Sequence, residues 1–199
     1  MVKKVHSIAI LSMILSSYFL HSAAASSFSY TATVNIVIKR VYYLHRTVLL
    51  AGELMNTTRP PSDQSETTLT IDRGSSAYFY TPQLSSGSVV NGTWVLYIWA
   101  STMSSGKVSM LDVVLHVVSS DGSTQKATIG TRTGVTINYG YYERTITISG
   151  SAATIGSSDR IRLTLYAETG GGNDKGMQFY YDGYGAHQTL YHETRLQLP

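Results

Sequence analysis

Apolar and polar residues alternate along most of the chain, and this period of two predicts β-strands. In residues 28–38 every second position is apolar or aromatic, and the positions between them are mostly Ser, Thr and Asn. Residues 109–118 and 160–167 alternate in the same way. Residues 94–100 are apolar on both faces, which is typical of a central strand covered on both sides and places Trp94 and Trp99 in the core.

Turn signals separate these predicted strands. Residues 59–63 carry two consecutive prolines, and Asp121-Gly122 between two strand-like runs predicts a hairpin. No segment beyond the N-terminus carries a helical stripe. We therefore predict an all-β fold of about nine or ten strands, arranged as an antiparallel β-sandwich of jelly-roll type.

Residues 1–25 have the pattern of a secretory signal peptide. Lys3 and Lys4 precede an apolar-rich stretch, residues 8–20, and small residues follow at 23–25. An uncleaved membrane anchor is the alternative, but the stretch is shorter than the roughly 20 residues of a transmembrane helix. We expect cleavage after Ala25, secretion to the extracellular space or cell surface, and contact with the membrane only through export.

The composition excludes several kinds of site and partner, and two short motifs are candidate glycosylation sites. The chain has no cysteine, which excludes disulfides, thiolate zinc sites and a cysteine nucleophile. Charged residues make up 14%, and the formal charge of +3 includes Lys3 and Lys4 of the predicted signal. Without a basic stripe, no nucleic-acid partner is expected. Asn56 and Asn91 each begin an Asn-x-Thr sequon and are candidate glycosylation sites.

Two polar segments are weak candidates for metal sites. Asn173 and Asp174 lie in a glycine-rich run whose oxygen atoms suit calcium, although glycines there equally suit a long hairpin. His187, His192 and Glu193 suit zinc, with an ordinary polar loop as the alternative. We predict no cofactor and no resident metal.

No sequence motif for catalysis is present. The chain lacks a Gly-x-Ser-x-Gly elbow, a His-Glu-x-x-His pair, a phosphate loop and a dinucleotide fingerprint. A Ser-His-Asp triad can still assemble in space, because its members need no fixed order in the chain. Since nothing in the sequence selects one, we predict that the protein is not an enzyme, and a secreted hydrolase ranks last among the functions considered.

Tyrosines are numerous, with 15 in the chain, and seven of them fall into two groups, at residues 139–142 and 180–191. A tyrosine ring offers a flat apolar face that suits contact surfaces and stacking on a sugar ring. Tyrosine is also a good strand former on half-buried faces, which is the alternative explanation. The candidate ligand-binding residues of a carbohydrate-binding module are Tyr180, Tyr181, Asp182, Tyr184, His187 and Tyr191.

The segment 26–40 follows the predicted cleavage site and precedes a domain predicted at 41–199. If it pairs within its own domain, it is the first strand; if it pairs with a neighbouring copy, it is a donor strand and the protein polymerises. We therefore predict a structural or adhesive surface protein, as a filament subunit, with the glycan-binding module as the alternative. The candidate assembly anchors are Phe28, Tyr30, Val34, Ile36 and Ile38.

Five short motifs follow one another along the chain: YYLH from residue 42, GTWVLYIWA from residue 92, DRIRL from residue 159, FYYDG from residue 179 and TRLQLP from residue 194. In this combination they resemble a β-sandwich module of exported bacterial and archaeal surface proteins. The resemblance covers residues 42–199 and implies a surface setting, but no activity. The segments 26–40 and 183–193 depart from the pattern of that module.

Overall fold

The computed structural model describes residues 41–61, 64–89, 91–169, 176–184, 191–192 and 194–199. The predicted signal peptide, the segment 26–40 with its predicted anchors, and the candidates Asn173, Asp174 and His187 lie outside the described residues. None of the described segments forms a helix that is long and apolar enough to cross a membrane.

The described residues form strands joined by turns, and they contain no helix. The fifteen strands are β1 (Val41–Leu49), β2 (Gly52–Asn56), β3 (Thr67–Asp72), β4 (Ser76–Tyr80), β5 (Gly87–Val89), β6 (Gly92–Thr102), β7 (Val108–Val118), β8 (Gln125–Asn138), β9 (Tyr142–Gly150), β10 (Ala153–Ile155), β11 (Arg160–Ala167), β12 (Gly176–Tyr181), β13 (Gly183–Tyr184), β14 (Tyr191–His192) and β15 (Arg195–Gln197).

One large sheet closes on itself. Nine of its strands form a ring in the order β15-β1-β2-β4-β11-β7-β8-β9-β6, and β6 pairs with β15 to complete it. From β6 the sheet also continues outward through β12 to β3. Two smaller sheets, β10-β5 and β13-β14, lie apart from the ring in the hydrogen-bonding pattern.

The prediction of an all-β fold is confirmed, but the antiparallel sandwich is wrong. The sheet is a closed mixed barrel, because β2 and β4 run parallel while β15 bridges β1 and β6. The jelly-roll arrangement is not confirmed. Several strands have only two or three residues, too few for the alternation of residues to predict them.

The ring is held by few backbone pairs at two places, which we call the β2–β4 junction and the β8–β9 junction. Two residue pairs join β2 to β4, and the single pair Gly130–Gly150 joins β8 to β9. A Cβ on Gly130 would lie 2.6 Å from the carbonyl oxygen of Ser149, and one on Gly52 would lie 2.3 Å from that of Tyr78. Glycine therefore allows the close approach of backbones at both junctions.

The inward side chains fill the ring with a continuous apolar core. On β6 the prediction for Trp94 is confirmed, since its side chain is fully buried together with Leu96 and Ile98. Trp99 lies on the other face of the same strand and is only half-buried, so its placement in the core was wrong. The strand itself is central, as predicted, because β9, β12 and β15 all pair with it.

Candidate functional site

A group of polar side chains gathers where the β1-β2 hairpin meets the end of β12. His45 comes from β1, Glu53 and Asn56 from β2, and Tyr181 and Asp182 from the end of β12. We call these five residues the His45 cluster. The register of β1 against β2 shifts between His45 and Val48, so the hairpin is irregular directly beside this cluster.

Asp182 connects the cluster to the backbone of β1. One carboxylate oxygen lies 3.0 Å from Nδ1 of His45, and the other accepts a hydrogen bond of 3.0 Å from the backbone N–H of Arg46. Asp182 is buried and adopts a left-handed conformation, with φ at 60°. Its carboxylate thus orients the imidazole ring, as an aspartate does in many hydrolytic sites.

The other ring nitrogen of His45 faces two oxygen atoms. Nε2 lies 3.1 Å from Oδ1 of Asn56 and 3.0 Å from the carbonyl oxygen of Thr58. The same Oδ1 accepts the backbone N–H of Thr58 at 2.7 Å, which fixes the orientation of the amide. Since an oxygen acceptor faces each ring nitrogen, both nitrogens act as N–H donors when the imidazole carries two protons.

Glu53 and Tyr181 form the second half of the cluster. The Tyr181 hydroxyl donates a hydrogen bond to Oε2 of Glu53. Burial raises the pKa of Glu53 despite this hydrogen bond, and the charge of Asp182 raises it further. Burial and the hydrogen bond to Glu53 also raise the pKa of Tyr181, so the phenol remains a neutral donor. Glu53 is therefore a carboxyl group that holds its proton more readily than usual.

The arrangement suits the transfer of a proton. It combines a carboxyl group of raised pKa, an oriented imidazole and a neutral phenol, which are the groups that general acid–base catalysis uses. Within the part of the chain that the structure describes, no serine hydroxyl is bonded to His45. The described residues also contain no group of three His, Asp or Glu side chains arranged around a metal position.

The predicted ligand-binding residues fall in different surroundings. Tyr180 and Tyr181 are buried, with Tyr180 packed at 4.5 Å against the ring of Tyr141. Neither ring therefore presents an open face to solvent. Tyr184 and Tyr191 are paired in register on β13 and β14. Asp182 is brought into the His45 cluster, while His187 lies outside the described residues.

The two sequon asparagines lie at strand ends, since Asn56 is the last residue of β2 and Asn91 directly precedes β6. Oδ1 of Asn56 is bound by His45 and Thr58, and Oδ1 of Asn91 accepts the backbone N–H of Ala152. Their glycosylation remains a prediction. Asn56 and Glu53 are site residues that the sequence did not identify as such. The only signal for Glu53 was a charged residue directly before the apolar pair Leu54-Met55 of β2.

Several solved structures with a similar fold are hydrolases. A CocE/NonD family hydrolase from Staphylococcus aureus has a TM-score of 0.60 at 12% identity, and an aminopeptidase from the marine sediment archaeon Thaumarchaeota archaeon has 0.58 at 12%. An α-amino acid ester hydrolase has 0.54 at 14%. Each match covers 81% of this chain and 36% of the other, so the chain spans about a third of these hydrolases.

No protein-family model and no curated protein matches the chain. At 12–14% identity the solved structures show the fold alone. The resemblance to exported surface modules and the extracellular location remain predictions.

The similarity to hydrolases corrects two predictions about function. The sequence predicts a non-catalytic structural or adhesive filament subunit, with a carbohydrate-binding module as the alternative. It also predicts that the protein has no enzymatic activity. Both predictions are contradicted, because the solved structures that share the fold over 81% of this chain are hydrolases. The sequence did not indicate this similarity of fold, since only about 12% of the residues are identical.

Proposed function

We propose that this chain acts in the hydrolysis of ester or amide bonds outside the cell, with the His45 cluster handling the proton of the reaction. The main support for this proposal is the fold that the chain shares with hydrolases over 81% of its length. Two of these proteins are an aminopeptidase and an α-amino acid ester hydrolase, so the substrates proposed are amino acid esters and amides. The signal pattern of residues 1–25 supports export.

Glu53 is the proposed general base and acid. Its Oε2 accepts the hydroxyl of Tyr181, which leaves Oε1 to take a proton from water as the water oxygen attacks the carbonyl carbon. The proton then passes from Glu53 to the leaving oxygen or nitrogen as the ester or amide bond breaks. The raised pKa of Glu53 favours both transfers, because a carboxyl group whose pKa lies closer to neutral pH both accepts and releases a proton more readily there.

His45 is the proposed donor to the carbonyl oxygen as negative charge develops there. Asp182 holds the ring at Nδ1, and Nε2 carries a proton toward Asn56 and the carbonyl oxygen of Thr58. A substrate oxygen that replaces the Thr58 carbonyl as acceptor gains a charge-assisted hydrogen bond. Asp182 is then a positioning residue, which acts through His45.

The proposal is tested by turnover of an amino acid p-nitrophenyl ester and an amino acid p-nitroanilide by the purified chain. We expect Glu53→Gln and His45→Gln to lower kcat/KM by about a hundredfold, the range of general acid–base catalysis. Glu143→Gln, at an exposed glutamate of β9, is the matched control and is expected to retain activity. Thermal unfolding of each variant separates loss of chemistry from loss of fold. Absence of turnover by the unaltered chain, or equal rates in Glu53→Gln, would overturn the proposal.

A further inference from the structure

The outer face of β4, β11 and β7 carries two buried polar atoms that have no hydrogen-bond partner among the described residues. On β11, Arg162 and Thr164 point away from the core, since Leu163 between them is fully buried on the inner face. In register, His116 of β7 lies beside Arg162, and Tyr78 of β4 lies beside Thr164. We call Arg162, Thr164, His116 and Tyr78 the Arg162 face.

No described carboxylate balances the positive charge of the Arg162 guanidinium group. Its Nη2 lies 3.3 Å from Nδ1 of His116, and its central carbon lies 5.3 Å from the centre of the Tyr78 ring. Neither neighbour is a carboxylate, and none of the described acidic residues is paired with Arg162. The Nε atom of Arg162 and the hydroxyl of Thr164 are both buried, and neither has a hydrogen-bond partner in the described part of the chain.

His116 adds a neutral donor to the same face. Because a guanidinium group can only donate, Nδ1 of His116 accepts from Arg162 and the ring proton resides on Nε2. Burial lowers the pKa of His116, and the nearby charge of Arg162 lowers it further, so the ring stays uncharged at neutral pH. The face therefore offers N–H and O–H donors around one positive charge.

We propose that the Arg162 face binds a carboxylate group attached to an apolar body. The planar fork of a guanidinium group matches the two oxygens of a carboxylate, and the hydroxyl of Thr164 provides a third donor. The ring of Tyr78 and the side chain of Val114, both in register with Thr164, border the position with apolar surface. Binding requires the Arg162 side chain to turn so that Nε meets the ligand. This inference does not depend on the hydrolytic function.

The test uses benzoate as the probe and the ¹⁵N-labelled full chain in NMR titrations. We expect saturable shifts of backbone signals at 114–116 and 162–164, and none with benzamide, which has the same shape without the charge. Arg162→Gln is expected to weaken benzoate binding at least tenfold, and Thr164→Val several-fold. Arg132→Gln, at an exposed arginine of β8, is the matched control and is expected to bind as the unaltered chain does.

Arg162→Lys retains the charge but loses the fork, so it should bind benzoate more weakly than the unaltered chain, and it replaces Arg162→Gln if that variant does not fold. Absence of saturable shifts, equal shifts with benzamide, or full binding by the Arg162 variants would overturn the proposal. Binding of inorganic phosphate in place of benzoate would overturn the assignment to carboxylates.

Discussion

At the scale of single residues, Asp182 combines an unfavourable backbone conformation with favourable hydrogen bonds. A left-handed conformation costs a residue other than glycine roughly 1–3 kcal/mol, although aspartate and asparagine tolerate it best. Asp182 offsets this cost through hydrogen bonds from the His45 ring and the Arg46 backbone. Burial is the main cause of the raised pKa of Glu53, and the charge of Asp182 raises it further, so Asp182 contributes to both the geometry and the electrostatics of the cluster.

Glu53 makes the stability of the protein depend on pH. Since its pKa is raised above the ordinary value of 4.5 in the folded state, its protonated form is favoured by folding. The corresponding stabilisation is complete below pH 4.5 and is lost as pH rises through the folded pKa. We therefore expect Glu53→Gln to become more stable relative to the unaltered protein as pH rises, in urea unfolding followed between pH 4 and pH 8.

Glutamine keeps an oxygen that accepts the Tyr181 hydroxyl, so the substitution changes the titration and preserves the contact. Glu143→Gln serves as the control, because Glu143 is exposed on β9. A stability difference for Glu53→Gln that is constant with pH, or that shrinks as pH rises, would contradict the prediction.

At the scale of elements, the two junctions are the narrow points of the ring. Strand pairs such as β7-β8 and β6-β9 share long registers, whereas β2-β4 and β8-β9 share two pairs and one pair. Each junction has a glycine whose Cβ position is already filled by a neighbouring carbonyl oxygen. A side chain at either position has to push two backbones apart, so the junctions depend on these glycines.

We expect Gly52→Ala and Gly130→Ala each to destabilise the fold by about 1–3 kcal/mol, because the added methyl group overlaps backbone atoms that cannot move independently. Gly87→Ala on β5 is the control, since nothing lies within 4 Å of its Cβ position. Chemical denaturation of the three variants gives the comparison. Equal stability of Gly130→Ala and Gly87→Ala would show that the close backbone contact at the β8–β9 junction does not limit the stability of the fold.

At the scale of the whole molecule, the short strand β15 closes the ring. It pairs with β1 on one side and β6 on the other, which joins the ends of the described domain through contacts far apart in sequence. Leu196, at its centre, is fully buried and lies in register with Tyr42 and Leu96. Closure therefore combines three residues of backbone pairing with one anchored side chain.

Leu196→Ala is expected to destabilise the protein by about 2–5 kcal/mol, the range for removing a fully buried leucine. Leu198→Ala is the control, because Leu198 lies only two residues away and is half-buried. Thermal or urea unfolding measures both variants. Comparable losses for the two would show that ring closure does not depend on Leu196.

Alternation of residue types predicted which strands exist better than it predicted how they pair. It placed Trp94 in the core, but it could not separate Trp94 from Trp99, because both faces of β6 are apolar in sequence. Ring closure was missed because β15 is three residues long and its partners are distant. The His45 cluster was missed as a unit because Glu53 and Asp182 meet only through the tertiary fold.

The position of Trp94 gives this protein an internal optical probe. Its indole is fully buried and its Nε1 has no hydrogen-bond partner among the residues that the structure describes. The Cβ position of Gly150, in the β8–β9 junction, lies 2.6 Å from that nitrogen. An indole in such dry surroundings fluoresces at short wavelength, and entry of water through the junction would move its emission toward the red. Trp99, half-buried on the outer face, emits from a different environment. The colour of Trp94 fluorescence thus reports whether the ring is closed at its narrowest point.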